Sequence, residues 1–466
     1  MAKGRREAPK AKRKKWKTVV ALLCVFLVLF SAIYLFLVYT NNAFIAKWRT
    51  IYIETAMTTM RHKWLATAFI PADVIDSVMD QMVERNEEQS KANSTWNTNT
   101  EAIGEELKGE TPESIRTEEI IPNDTSEVDE NDEENLFDDS MASDEEERVQ
   151  KEQRESPEEI AARQAAEEEA ARNAFYETYS ELDRDSFELF LTEHSEYFNG
   201  DYNEIVIEDL EGKLGLKSVF DETILVLDVP NNLILLGLSG SDYVGKLAIV
   251  KNPEQVYLEP AINLGFTSMG TTIEGFAEEY HALIAMNGSG FDDPNGEGWG
   301  GSVVGTYIAH NLSYTNCVVD SYKTFGFRKD YRMYIENQDT FYWANYIWAM
   351  QFSPALIVDG ELVVEGSYGY GLQPRSAVGQ SADGSFMMLA IDGRQVGYSI
   401  GLTVSDCAEI LLKHGAYQAM NLDGGSSTVM AYAGKLITKP SSVTSFGRYL
   451  PNAFVIHYAD EIPNYD

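Results

Sequence analysis

The chain has 466 residues, 44% of them apolar, which allows two to four domains of roughly 100–200 residues and at least one sizeable core. Lys and Arg number 37 against 74 Asp and Glu, a net charge of -37; nucleic acid is excluded as a partner, because phosphate backbones demand clustered cations. The three cysteines, Cys24, Cys317 and Cys407, exclude a disulfide framework, and with six histidines no metal or cofactor is expected.

The first segment, 1–18, is a basic tail: residues 3–17 hold nine Lys/Arg and one Glu. Residues 19–39 follow, 21 positions in which Ser31 is the only clearly polar member. At about 1.5 Å per residue such a helix spans roughly 30 Å, the thickness of the hydrocarbon core. A cleaved signal peptide has a shorter apolar region and a small-x-small site. The expectation is a single-pass anchor in the cell membrane, contacting lipid through 19–39, with the N-terminus cytoplasmic and the rest extracellular.

Residues 40–100 form a juxtamembrane segment. Ile51, Ala56, Met60, Trp64, Ala68 and Ile70 recur at helical spacing and Pro71 breaks the pattern, which predicts a helical pair packed on the membrane or on the body of the protein. Residues 101–170 hold 27 Asp/Glu and six Lys/Arg. A segment of that composition buries too little apolar surface to offset its ordering entropy, so a disordered spacer holding the domain off the bilayer is expected. Residues 157–180 turn rich in Ala, Glu and Arg and read as a helix leading into the folded domain, with the helical lead-in drawn at 171–200.

The globular domain is expected over 201–466. Short apolar runs at 223–229, 232–238, 246–250, 303–309, 355–358, 386–391, 428–432 and 453–458 are punctuated by turn residues and read as strands. Helical patterns occupy 272–281 and 403–414. The fold class is α+β with a mixed or antiparallel sheet. The two helices belong to an internal echo. Gly270-Thr271-Thr272-Ile273 and Gly401-Leu402-Thr403-Val404 open the units, and Ala285-Met286-Asn287 and Ala419-Met420-Asn421 close them. Each runs helix, strand, Asn, Gly-rich loop, so two pseudo-repeated units are expected to face each other across one cleft.

The loop 287–301, NGSGFDDPNGEGWGG, has six glycines in 15 residues, so its backbone can approach a ligand closely. Its Asp292, Asp293, Asn295 and Glu297 do not follow the calcium-hand order. The loop 421–428, NLDGGSST, sets Asp423 beside two glycines and three hydroxyls at a strand end. A carboxylate so placed can serve as base or nucleophile, or can simply cap its own turn. Residues 201–466 contain only five arginines. Arg375 and Arg448 sit in Pro- or Gly-marked loops and could hold an anion through their forked donors, or form surface ion pairs. Asp392, after the 386–391 strand, is a second carboxylate or a turn residue. Neither Cys317 nor Cys407 has an activating neighbour in sequence, and both read as buried apolar residues.

The motif order MNGSGFDDPNG, SPALIVDGE, PRSAVGQSADG, LAIDGR, SIGLTVSDCAEILLKHGAYQAMNLDGGSSTVM and GRYLPNAFVIHY resembles the phosphodiester glycosidase family over about 245–458. The family's usual RTA stands here as Arg375-Ser376-Ala377, and one Gly of its DGGGSS is missing at 423–427. The resemblance implies hydrolysis of a sugar-1-phosphodiester, in a cell-surface glycopolymer or exopolysaccharide. It implies Asp423, Asp392, Arg375 and Arg448 as catalytic residues, and Asn287, Gly288, Gly424, Gly425, Ser426 and Ser427 as substrate-binding ones. The alternative is a non-catalytic glycopolymer-binding or assembly module on the same fold.

Overall fold

The computed structural model describes residues 10–59, 63–96, 156–265, 268–293, 299–310, 312–314, 318–368 and 370–465. Cys317, Met60, Asn295, Glu297 and most of the acidic segment lie outside the described residues.

Helix α1, Lys10–Tyr39, contains the 24-residue apolar stretch Trp16–Tyr39, long enough to cross a membrane. Asn42 then caps α2, Ala43–Thr58, by accepting from the Phe44 and Ile45 amides. A short turn of helix, α3 (Trp64–Thr67), and α4 (Ala72–Gln89) follow. Arg49 on α2 donates to the carbonyls of Val38 and Thr40, and the Tyr34 hydroxyl donates to the Phe69 carbonyl. These bonds tie the end of α1 to the helices that follow.

The segment ending at Trp96 docks on the globular body. Gln89 donates to the Val363 carbonyl at 2.7 Å and accepts from the Ala355 amide at 2.9 Å. Ser94 exchanges bonds with Ile335, and the Trp96 indole donates to the Met333 carbonyl. Beyond the acidic segment, α5 (Pro157–Thr178) and α6 (Arg184–Glu193) bury Phe175, Tyr179, Phe187 and Phe190 in the same core as the strands. The helix read from 157 onward forms as Pro157–Thr178, overlapping the end of the acidic linker, and the core begins before position 201. On either flank of the acidic segment, Trp96 and Phe175 both pack on the globular body.

Among the described residues, three antiparallel sheets form the body. The largest has nine strands in the order Val206–Glu208, Thr223–Asp228, Leu233–Ser239, Val244–Val250, Phe386–Ile391, Arg375–Ser381, Ala416–Asn421, Ala355–Val358 and Glu361–Leu362. A five-stranded sheet runs Lys435–Leu436, Met430–Tyr432, Ala282–Asn287, Asn452–His457, Val256–Pro260. The other runs Met333–Glu336, Lys323–Arg328, Tyr346–Phe352, Tyr307–Ala309, Leu312–Ser313. Period-two alternation places the sides: Phe386, Met388 and Ala390 join the core between sheets, and Met387, Leu389 and Ile391 join the core beneath the helices. Helix α7, Ile273–Glu279, covers the sheet holding 282–287, and α8, Val404–Lys413, covers the nine-stranded sheet.

The two echoed units therefore form. Thr272 caps α7 by accepting from the Gly275 amide, and Thr403 caps α8 in a reciprocal pair with Asp406. Their strands end at Asn287 and Asn421, in different sheets.

Candidate active site

The site is assembled where those two strand ends approach each other. Strand Arg375–Ser381 pairs with Ala416–Asn421, so the chain leaving Asn421 runs past Pro374 and Arg375. The Leu422 amide donates to the Ser376 carbonyl and the Gly425 amide to the Pro374 carbonyl. A side chain at 424 would meet the Pro374 oxygen at 2.8 Å, so only glycine lets the loop lie so close.

Asn287 holds this loop from the other sheet. Its Nδ2 donates to the Asp423 carbonyl at 2.7 Å, and its Oδ1 accepts from the Ser376 hydroxyl at 2.7 Å and from the Val429 amide at 3.2 Å. Its amide is thus committed to protein partners. Gly288 is close-packed too: a Cβ there would sit 2.4 Å from Asn452 Oδ1, which accepts from the Ser289 amide. Asn287 and Gly288 build the site's frame.

Asp423 is partly exposed, yet protein crowds its carboxylate. Lost hydration pushes its pKa up to about 6, against the pull of the Ser427 hydroxyl, Arg448, the Gly424 amide and Arg394. That value leaves it ionised at neutral pH and basic enough to accept a proton or attack carbon. Tyr322 stands within reach of its charge; burial, with smaller contributions from Tyr370 and Asp423, pushes the phenol up to about 12.

Two arginines address the Asp423 loop, and one of them differs from the pair expected. Arg448 donates to the Ser426 hydroxyl at 3.3 Å, pairs with Asp293 and lies 4.6 Å from the Phe291 ring centre. It thereby joins the Gly-rich loops of both echoed units. The second is Arg394. A Cβ on Gly425 would lie 3.0 Å from its Nη2. Burial lowers its pKa while the Asp423 charge opposes that shift. Among the described residues neither arginine forms an ion pair with Asp423 within 4.0 Å.

Arg375 opens a strand rather than a loop, and it is buried. Its Nε donates to the Leu402 carbonyl at 3.1 Å and its Nη2 to the Gly371 carbonyl at 2.8 Å. Burial pulls its pKa down to about 10. The guanidinium thus serves the backbone that carries the site. Asp392 is occupied as well: Oδ2 accepts from the Tyr398 hydroxyl at 2.7 Å and Oδ1 from the Lys439 amide at 2.9 Å. Burial raises its pKa. With both oxygens engaged it clasps two loops beside the site. Cys407 is buried.

Sequence reasoning missed Arg394 as a site residue, and missed Gln373, which accepts from Arg394 Nε at 2.6 Å. The DGR run at 392–394 was the available signal, but the positive φ of 59° that turns Arg394 toward the loop is a tertiary feature. A cavity of about 650 Å³ lies elsewhere, between α2, α4 and the segments 365–372 and 403–409.

Residues 280–457 match the family model for phosphodiester glycosidase. This segment is similar to that family. A SPbeta prophage-derived uncharacterized protein of Bacillus subtilis strain 168 is 35% identical over 88 residues, 19% of this chain and 13% of that relative's length. The catalytic domain of zebrafish N-acetylglucosamine-1-phosphodiester alpha-N-acetylglucosaminidase, auto-inhibited by its pro-peptide, is 20% identical over 48% of this chain and 82% of its own, with a TM-score of 0.39. A hypothetical protein from Synechocystis is 14% identical over 48% of this chain and 62% of its own, with a TM-score of 0.35.

Proposed function

We propose that the protein is a membrane-anchored extracellular hydrolase that cleaves a sugar-1-phosphodiester in a cell-surface glycopolymer or exopolysaccharide. The observation that carries this reading is Asp423, a carboxylate with a pKa of about 6, on a glycine-shaped loop addressed by Arg448 and Arg394. The family match over 280–457 supplies the bond class.

The chemistry follows from the charges. The Asp423 carboxylate attacks the anomeric carbon, or takes a proton from the water that does. The bond from C1 to the phosphate oxygen breaks and its electron pair leaves on that oxygen. Where Asp423 is the nucleophile, water then attacks C1 of the glycosyl ester, and the C1–carboxylate bond breaks to release the sugar and restore the carboxylate. A departing phosphate monoester needs little protonation, so one free carboxylate suffices where ordinary glycoside cleavage uses two. Arg448 and Arg394 neutralise the charge that develops on phosphate. Asp392, clasped by Tyr398 and Lys439, positions loops. Ser426, beside Arg448, offers its hydroxyl to sugar or phosphate oxygens, while the buried Ser427 hydroxyl donates to the Asp423 carboxylate.

The test uses the full chain in detergent micelles and a panel of sugar-1-phosphodiesters, with released sugar assayed. Turnover abolished by Asp423→Asn supports the reading. A folded wild-type protein that binds the panel without cleaving any member supports the non-catalytic glycopolymer-binding module instead.

A further inference from the structure

Helix α2 follows the apolar anchor directly, and its C-terminal turn reaches the back of the site. The Leu372 amide donates to Thr55 Oγ1 at 2.9 Å, and the Thr58 hydroxyl lies 3.4 Å from the Tyr370 carbonyl. Gly371 makes the approach possible: a Cβ there would sit 2.2 Å from Thr55 Oγ1. The next residue along, Gln373, has α2 on one side and Arg394 on the other. Its Nε2 donates to Thr58 Oγ1 at 3.0 Å and to the Thr55 carbonyl at 3.4 Å, and its Oε1 accepts from Arg394 Nε at 2.6 Å.

The amide can lie only one way. Arginine has no acceptor, so the oxygen must face Arg394 and the nitrogen must face α2. Gln373 is buried and its backbone is pinned in both directions to Leu402. A side chain fixed at both ends transmits the position of one partner to the other. Arg394 is a long side chain, and losing its Nε acceptor restores rotamer freedom to it.

We infer that α2 is a working part of the site: through the Gln373 side chain it positions the Arg394 guanidinium against the 423–425 loop, which makes Gln373 a positioning residue. The inference rests on the proposed function for the role of Arg394. It assigns the anchor-proximal helix a second task beyond connecting the domain to the bilayer. Detaching α2 would free the Gln373 amide to rotate, and Arg394 with it.

The experiment uses the full chain in detergent micelles, with four variants: Gln373→Ala, Thr58→Val, Thr58→Ser and the double variant Gln373→Ala with Thr58→Val. Two measurements are made, turnover of a sugar-1-phosphodiester and calorimetric binding of inorganic phosphate. Gln373→Ala is expected to lower kcat about tenfold to a hundredfold, the scale of a misplaced catalytic group. It should also weaken phosphate binding and move the acidic limb of the pH profile upward, since a displaced Arg394 no longer favours the charged form of Asp423. Thr58→Val should show the same changes more weakly, and Thr58→Ser should restore wild-type values. In the double variant, loss of the hydroxyl should add nothing, because its effect runs through Gln373.

Additive effects in the double variant would overturn the inference, as would an unmoved acidic limb with unchanged phosphate affinity. Active wild-type protein with silent variants removes the inference alone. Wild-type protein that neither turns over substrate nor binds phosphate removes the proposed function, and the inference falls with it. If phosphate binds without turnover, the variants' phosphate affinities decide.

Discussion

Asn287 and Asp423 stand 136 positions apart, yet the Asn287 amide donates to the Asp423 carbonyl at 2.7 Å. The bond joins the ends of two echoed units that lie in different sheets. It sets the direction in which the Asp423 side chain leaves the loop.

Asn287→Ala should therefore act on stability first. It strands the Asp423 carbonyl, the Ser376 hydroxyl and the Val429 amide, all in or near the core. At roughly 1–3 kcal/mol for a buried polar group left unpaired, with partial relaxation, a total of about 3 kcal/mol is expected. Thermal unfolding should show a lower Tm. Asn287→Asp should be no better, because a carboxylate cannot donate to the Asp423 oxygen; a wild-type Tm in either variant would contradict the framing role.

Asp423→Asn keeps the side chain's shape and removes its basicity. The rate of sugar release should fall by about 10²–10⁴. Calorimetric binding of phosphate should persist, since Arg448 and Arg394 are untouched. Equal loss of binding and rate would point to a collapsed loop instead.

The pKa of about 6 gives a pH dependence of rate. The ionised form does the work, so kcat/KM should rise with pH through about 6 and then level off. Arg448 pulls that pKa down, so Arg448→Gln should move the rising limb to higher pH. A limb that stays in place would separate Arg448 from Asp423.

The same shift has a stability consequence of defined sign. The folded-state pKa lies above the unfolded value near 3.9, so the folded state holds the proton more tightly. Stability from this group falls as pH rises from about 4 through 6. Asp423→Asn removes the charge that folding must bury. It should be more stable than wild type at pH 8, with the difference shrinking toward pH 4. Denaturant midpoints at the two pH values test this; a constant difference would contradict it.

Arg375 should prove to be a scaffold cation. Arg375→Lys cannot reach both the Leu402 and Gly371 carbonyls with a planar fork. A loss of about 2 kcal/mol or more is expected, the scale of removing a charged hydrogen bond from a buried site. Phosphate affinity should change less than in Arg448→Gln. The reverse order would return Arg375 to the anion site.

The sequence alone determined the apolar N-terminal helix, the α+β class, the echoed helix-strand-loop units and the loops that carry Asp423 and Asn287. Each rests on local physics: a run of apolar residues, a period of two or 3.6, a cap threonine, a glycine beside a carboxylate. Tertiary structure decided which charged groups are free to act. Arg375 and Asp392 look like Arg448 and Asp423 in composition and spacing. They differ in what surrounds them, carbonyls for one guanidinium and a tyrosine and an amide for one carboxylate. Arg394 joins the site through a positive φ, and the α2 helix through Gln373. Some of these partners are near in sequence, such as Gly371 and Tyr398, but Leu402, Lys439 and Thr58 lie tens to hundreds of positions from the groups they reach, and a hydrogen bond or a lost hydration shell leaves no trace in the residues beside it.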